Sequence, residues 1–206
     1  MTKVDIQTWE RKQHYEHFIK LKDPYFGMTI PFDVTQAYHF SKTKSVSFFG
    51  KYMHNCMQAI NDVDELKLRI INDEVVRYNT IHASATIMRP NKTFGFSFIE
   101  FDNDLNVFLD NLASEKRRIE ASNDLFPPQN GLDCIHCSAV PWLQFSGHKE
   151  PVSEQIESVP KIAFSKIEHK KNDTIKMNVA ISVNHALVDG YHLGLFSEKF
   201  QYYLNS

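Results

Sequence analysis

The chain has 206 residues, 42% of them hydrophobic and 23% charged, with a formal net charge of −2. That length suits one sizeable core and is short for two full domains, so residues 1–206 read as a single domain. Acids and bases are interspersed, which excludes the basic footprint of a nucleic-acid binder. No apolar run approaches the length of a membrane span. The opening MTKVDIQTWERK lacks the apolar centre of a signal peptide, and the expected compartment is the cytoplasm.

Val46, Phe49, Met53, Cys56, Met57 and Ile60 recur at helical spacing and predict an amphipathic helix. Short strands are expected next at 66–71, 74–78, 80–88 and 93–101, with Pro90-Asn91 turning between the last two. A second helix follows, with Leu105, Phe108, Leu109, Leu112 and Ile119 on one face and the charge run 115–118 in solvent. Residues 126–131 form a loop, 134–140 a strand stopped by Pro141-Trp142, and 146–159 a polar excursion. Two more strands are expected at 161–168 and 175–184. The second alternates cleanly, with Ile175, Met177, Val179, Ile181 and Val183 set against polar or small neighbours. Leu193, Phe196, Phe200, Tyr203 and Leu204 mark a last helix, for which Asp189 is a suitable N-cap. This order predicts an α/β two-layer sandwich, a mixed β-sheet with helices mainly on one face. Sixteen phenylalanines predict an aromatic-rich core.

Cys56, Cys134 and Cys137 are too few for a disulfide framework. Cys134-Ile135-His136-Cys137 has the spacing of a metal or redox pair. A structural zinc site would want a second pair, and the redox version would open a helix where this segment reads as a strand. Buried strand cysteines are expected, and no metal.

The stretch SVNHALVDGYH, residues 182–192, carries the chemistry. It puts His185 just past a strand end, four residues before an Asp-Gly turn. Two readings stand on these residues alone. His185 closes the strand through a backbone hydrogen bond, or it is a partly desolvated imidazole kept neutral and able to accept a proton. By the same reasoning Ser138 reads as an ordinary strand serine, Arg11 as an exposed residue, and Trp9 and Trp142 as packing residues.

His185-Ala186-Leu187-Val188-Asp189-Gly190 is similar to the H-x-x-x-D-G signature of CoA-dependent acyltransferases. With Tyr191-His192 it most resembles the chloramphenicol acetyltransferase family. Trp9-Glu10-Arg11-Lys12 followed by His14-Tyr15-Glu16 looks like that family's N-terminal block, with Gln13 where its glutamate usually stands. Leu125-Phe126-Pro127 and Ser138-Ala139-Val140-Pro141-Trp142-Leu143-Gln144-Phe145 resemble its central blocks. The three blocks span nearly the whole chain.

The resemblance implies a cytoplasmic acetyl-CoA-dependent O-acetyltransferase, of a type linked to antibiotic resistance. His185 would be the general base on an acceptor hydroxyl and Ser138 a donor to the oxyanion. Asp189 paired with Arg11 would brace the loop that presents the base. It also implies a homotrimer with sites between subunits, an acceptor pocket involving Phe18, Phe94, His148, Lys161 and Ala163, and Lys166 on the CoA side.

Several positions depart from the family pattern. Asn184 stands where a second histidine is usual, and Phe18 where a tyrosine often lies. His148 takes the place of an aromatic, and Lys161 and Ala163 those of an aliphatic residue and a threonine. A lysine is costly to bury unpaired, so Lys161 points out or meets a polar or anionic group. Chloramphenicol and another hydroxyl compound stand as equal candidates for acceptor. The alternatives are a thiol acceptor or longer acyl donor, and a non-catalytic small-molecule binder that keeps the fold.

Overall fold

The computed structural model describes residues 1–129, 131–151 and 157–206. Its strands, in chain order, begin with β1 (Thr2–Lys3), β2 (Tyr25–Asp33), β3 (Leu68–Ile71), β4 (Glu74–Arg77) and β5 (His82–Met88). They continue with β6 (Phe94–Phe96), β7 (Cys134–Val140), β8 (Lys161–Ser165), β9 (Glu168–His169) and β10 (Ile175–Asn184). The helices are α1 (Lys12–Phe18), α2 (Thr35–Lys44), α3 (Phe48–Asn61), α4 (Leu105–Ala121) and α5 (Gly190–Leu204).

A seven-stranded sheet runs β2-β10-β8-β7-β5-β6, with β9 paired to β10, and a small second sheet runs β1-β4-β3. The large sheet is mixed: β5, β7 and β8 are parallel, and the other pairs are antiparallel. Alternation on β10 decides which face is covered. Val179, Ile181 and Val183 join Ile162, Phe164, Ile135, Cys137 and Ala85 in one core with Met53, Ile60, Phe196 and Phe200 from the helices. The opposite face carries small and polar side chains, and register aligns them: Ser138 with Ala163, Ala163 with Ala180, His136 with Lys161, Lys161 with Ser182.

β10 and β7 occupy the spans read from the sequence, because both alternate and both end at a turn. The expected strand at 93–101 is shorter, although Ile99 still bridges Ala83. Ser97 Oγ accepts the Ala85 N–H at 3.0 Å and the Phe98 N–H goes to the Glu115 carboxylate at 2.7 Å, so side chains take over part of the ladder. The strand expected at 161–168 breaks after Ser165, whose Oγ accepts the Asn178 N–H at 2.9 Å.

β2 gave no strand signal because Gly27 and Pro31 interrupt it. The Asp33 N–H goes to the Gln201 side chain, while the Val34 N–H goes to Ile175 O. Odd positions of β2 therefore aim their nitrogens away from β10, and Pro31 forfeits no ladder bond there. α2 was also unread. Its buried positions are only Ala37 and Ser41, too few for an apolar stripe.

Arg69 fastens the small sheet to the large one. Its guanidinium is fully buried and donates to Leu132 O, Leu66 O, Leu68 O and Cys134 O at 2.6–2.9 Å. Cys134 and Cys137 are both buried in β7, and an i, i+3 pair on a strand points to opposite faces. Burial pushes the Cys134 thiol up to about 11. Among the described residues no cluster of three or more His, Cys, Asp or Glu side chains could hold a metal ion. No described helix is long and apolar enough to cross a membrane.

Candidate active site

His185 follows the last residue of β10 and sits in the turn that leads to α5. Its N–H donates to Pro24 O at 2.9 Å, which ties the turn to the start of β2. The ring is held between two aromatics: Phe18 stacks on it at 3.9 Å between centroids, and Phe26 lies at 4.4 Å. Nδ1 is buried without a partner; Nε2 is not among the buried orphan atoms. The imidazole is thus gripped by its faces, which leaves one nitrogen edge for a reacting proton.

The Asp-Gly turn is a helix cap and a brace together. Asp189 Oδ1 accepts the Tyr191 N–H at 3.0 Å, and the Asp189 N–H donates to His192 Nδ1 at 3.1 Å, closing a capping box at the start of α5. Oδ2 faces Arg11 Nη1 at 2.5 Å. Burial works to raise the Asp189 carboxyl. The Arg11 hydrogen bond, His192 and the Tyr191 N–H outweigh it and hold the group below the ordinary carboxylate value. Arg11 itself keeps Nε and Nη2 buried with no partner.

Ser138 lies elsewhere. It is on the open face of β7, two strands away from β10 and in register with Ala180 through Ala163. His185 is five residues beyond Ala180. Strand spacing and rise put the two side chains roughly 15–20 Å apart within one chain. On the other, helix-covered face of β7 opens an apolar groove of about 770 Å³ lined by Phe48, Tyr52, Leu109, Ala139, Trp142 and Lys166, among others. Sequence reasoning missed this groove, since its walls come from α3, α4, β5, β7, the end of β8 with the stretch after it, and Met177 of β10. Trp142 is 61% exposed on its rim and does not act as the packing residue expected. Lys116, read as part of a solvated run, also reaches the groove.

A second, smaller cavity of about 230 Å³ lies on the open face of β2 and β10. His148, Lys161, Thr29, Gly27 and Ser182 line it. His148 Nε2 is 3.5 Å from the Glu150 carboxylate. Lys161 is buried, and its charge is met inside the chain by Glu157 at 2.6 Å and by Pro151 O at 2.7 Å. Ala163 is buried between Ser138 and Ala180. His136 shares this face with its ring exposed, and partial desolvation by the surrounding sheet followed by the nearby Lys161 cation holds it below the ordinary imidazole value.

Phe94 is not near His185 in its own chain. It lies on β6, four strand positions from β10, and is 46% exposed beside Phe96. One chain therefore brings together His185, Phe18, Asp189 and Arg11 at one place and Trp142 and Lys166 at the groove, with Ser138 on the opposite face of β7.

A mixed sheet of this order, with helices packed on one face, is shared with solved acyltransferases. A chloramphenicol acetyltransferase superposes with a TM-score of 0.86 at 24% identity, covering 98% of both chains. A probable dihydrolipoamide acetyltransferase from Listeria monocytogenes gives 0.67 at 14% identity, covering 93% of this chain and 88% of that one. These likenesses establish the fold. In sequence, the chain is 26% identical to chloramphenicol acetyltransferase 3 of Escherichia coli, covering all of this chain and 97% of the relative. A Bacillus pumilus chloramphenicol acetyltransferase is also 26% identical, over 96% of this chain and 91% of the relative. Residues 1–201 match the chloramphenicol acetyltransferase family, and the chain belongs to it. It is an enzyme of the acyltransferase class.

Proposed function

We propose that the protein transfers an acetyl group from acetyl-CoA to a hydroxyl acceptor, with His185 as the general base. The observation that carries this reading is the clamped imidazole, pinned by Phe18 and Phe26 and set on a turn braced by Asp189 and Arg11. A base must be held within hydrogen-bond reach of one proton, and a ring fixed by its faces has its reactive edge oriented in advance. Asp189 caps α5 and pairs with Arg11, and it makes no hydrogen bond to His185; its role is support.

In this reading the acceptor hydroxyl gives its proton to His185 as its oxygen attacks the thioester carbonyl. Ser138 donates to the oxygen that becomes negative, and the tetrahedral intermediate collapses to the ester and CoA thiol. One such donor contributes about 3–4 kcal/mol to the barrier reduction. The apolar groove on the helix-covered side of β7 takes the pantetheine arm, and Lys166 and Lys116 at its margin face the phosphates. The distance between Ser138 and His185 in one chain supports a site completed by a second copy, in a homotrimer of the family type. The exposed apolar edge at Met88, Phe94 and Phe126 suits burial against such a copy, which would bring Phe94 toward another chain's base. The single chain 1–206 then acts as one domain, in the cytoplasm, with no metal, nucleic acid or membrane in its chemistry.

The acceptor is chloramphenicol or another hydroxyl compound. The polar cavity around His148, Lys161, Thr29 and Ser182 favours an acceptor with hydrogen-bonding groups of its own. CoA-thiol release from acetyl-CoA, measured with chloramphenicol and a panel of alcohols, tests the reading. Release above background with at least one acceptor is expected, and its abolition in His185→Ala. Equal background in wild type and His185→Ala with every acceptor would sink it. Isothermal calorimetry that finds no CoA binding, with tight binding of a different small molecule, would favour a non-catalytic binder.

A further inference from the structure

We propose that Lys161 and Asn184 are positioning residues for His185, acting together through Glu157; this rests on the catalytic reading of His185. Asn184 is 1% exposed and precedes the base. Its Oδ1 accepts the Ala186 N–H at 2.9 Å, and its backbone oxygen accepts the N–H groups of Leu187 and Val188. The residue thus fixes the turn on both sides of His185. Its remaining polar group, Nδ2, donates to the backbone oxygen of Glu157 at 2.8 Å.

Glu157 is held in turn from β8. Lys161 Nζ donates to its carboxylate at 2.6 Å, and the same ammonium sits 5.2 Å from the Tyr25 ring centroid. Tyr25 pairs with Asn184 across the sheet, and its hydroxyl donates to Val159 O at 2.9 Å. The Lys161 side chain is 8% exposed, which makes its pair with Glu157 a shielded one rather than a screened surface contact. Removing a buried cation leaves the carboxylate without its described counter-ion. The carboxylate then turns to water and draws its own carbonyl away from Asn184 Nδ2. The linkage runs from Lys161 to Glu157 to Asn184 to the Ala186 N–H, and so to the base. It also explains why a lysine is tolerated at this buried position: its charge is met within the chain by Glu157 and Pro151 O.

A positioning role differs from a purely structural one in what it changes. Lys161→Met and Asn184→Ala are each expected to lower kcat about tenfold while KM for acetyl-CoA stays within about twofold. Lys161→Arg is expected to keep at least about half the wild-type kcat. Because both residues act through one group, the double variant is expected to be little worse than the more damaged single one. A second readout does not need turnover: the rate at which diethyl pyrocarbonate modifies His185, followed by peptide mass spectrometry. It is expected to change several-fold in Lys161→Met and Asn184→Ala and to match wild type in Lys161→Arg.

Unchanged kcat and modification rate in Lys161→Met, a rise in KM alone, or multiplicative losses in the double variant would overturn the proposal. If Lys161→Met does not fold, Glu157→Gln, at a one-third-exposed side chain, carries the same measurements. If wild type acetylates nothing, the functional reading falls, and the modification rates alone decide whether the linkage holds the ring.

Discussion

Arg69 and Arg11 are both withdrawn from water, and the chain treats them in opposite ways. Arg69 spends every guanidinium nitrogen on backbone carbonyls from two stretches of chain, and no carboxylate is involved. Burial lowers its pKa to about 10, which still leaves it a cation at neutral pH. Arg11 makes one ion pair, with Asp189, and leaves two nitrogens buried and unpartnered. An unsatisfied buried donor costs about 1–3 kcal/mol. The Arg69 guanidinium itself carries no such cost. The region around His185, whose own Nδ1 is also unpartnered, does. The contrast is between the two arginines: one is fully partnered where two sheets are joined, and the other is partly unpartnered beside the turn that carries His185.

If that division is real, substitutions in the two regions should separate activity from stability. His185→Ala should give the largest effect, lowering kcat by about 10²–10⁴-fold with the melting temperature almost unchanged. A melting temperature that falls in step with activity would break the comparison from that side. Arg69→Met should do the reverse. Four carbonyls lose their donor, and equilibrium unfolding should show a loss of about 3–5 kcal/mol while the folded fraction keeps its kcat.

Mixing is the sharper test of where the halves of the site lie. Ser138→Ala and His185→Ala chains, unfolded together and refolded, should recover about a quarter of wild-type activity if each site pairs Ser138 and His185 from different copies. No recovery beyond the separate variants would place both residues in one chain's site. The smallest effect concerns acid. Asp189 has a folded pKa below its unfolded value, so its contribution to stability is present above about pH 3.9 and fades as pH falls through the folded value. Asp189→Asn should flatten that part of the stability–pH curve below about pH 4, measured by chemical denaturation at stepped pH.

The sequence was most legible where a single periodicity governed a segment. β10 and β7 could be bounded to the residue, and the Asp189 cap of α5 announced itself through the Asp-Gly pair. β2 was hidden because an edge strand tolerates the Gly27 and Pro31 that argue against a central one. The site was less legible than the fold. Phe18 on His185 and Arg11 on Asp189 join residues 167 and 178 positions apart, which no local pattern reports. The groove walls come from six segments. The direction of Lys161 depended on Glu157, which lies four residues back in a stretch that reads only as polar.

Pro31 has a consequence for how copies of this chain can meet. β2 is the outer strand of the large sheet, and at Pro31 its free rim has no N–H to offer. A strand from another molecule laid along that rim would find a gap in the ladder, so sheets do not extend readily from one chain to the next in an unlimited row. Growth by strand addition is discouraged at the rim nearest His185, and contact between copies is steered to side-chain surfaces, where a closed ring can form and stop.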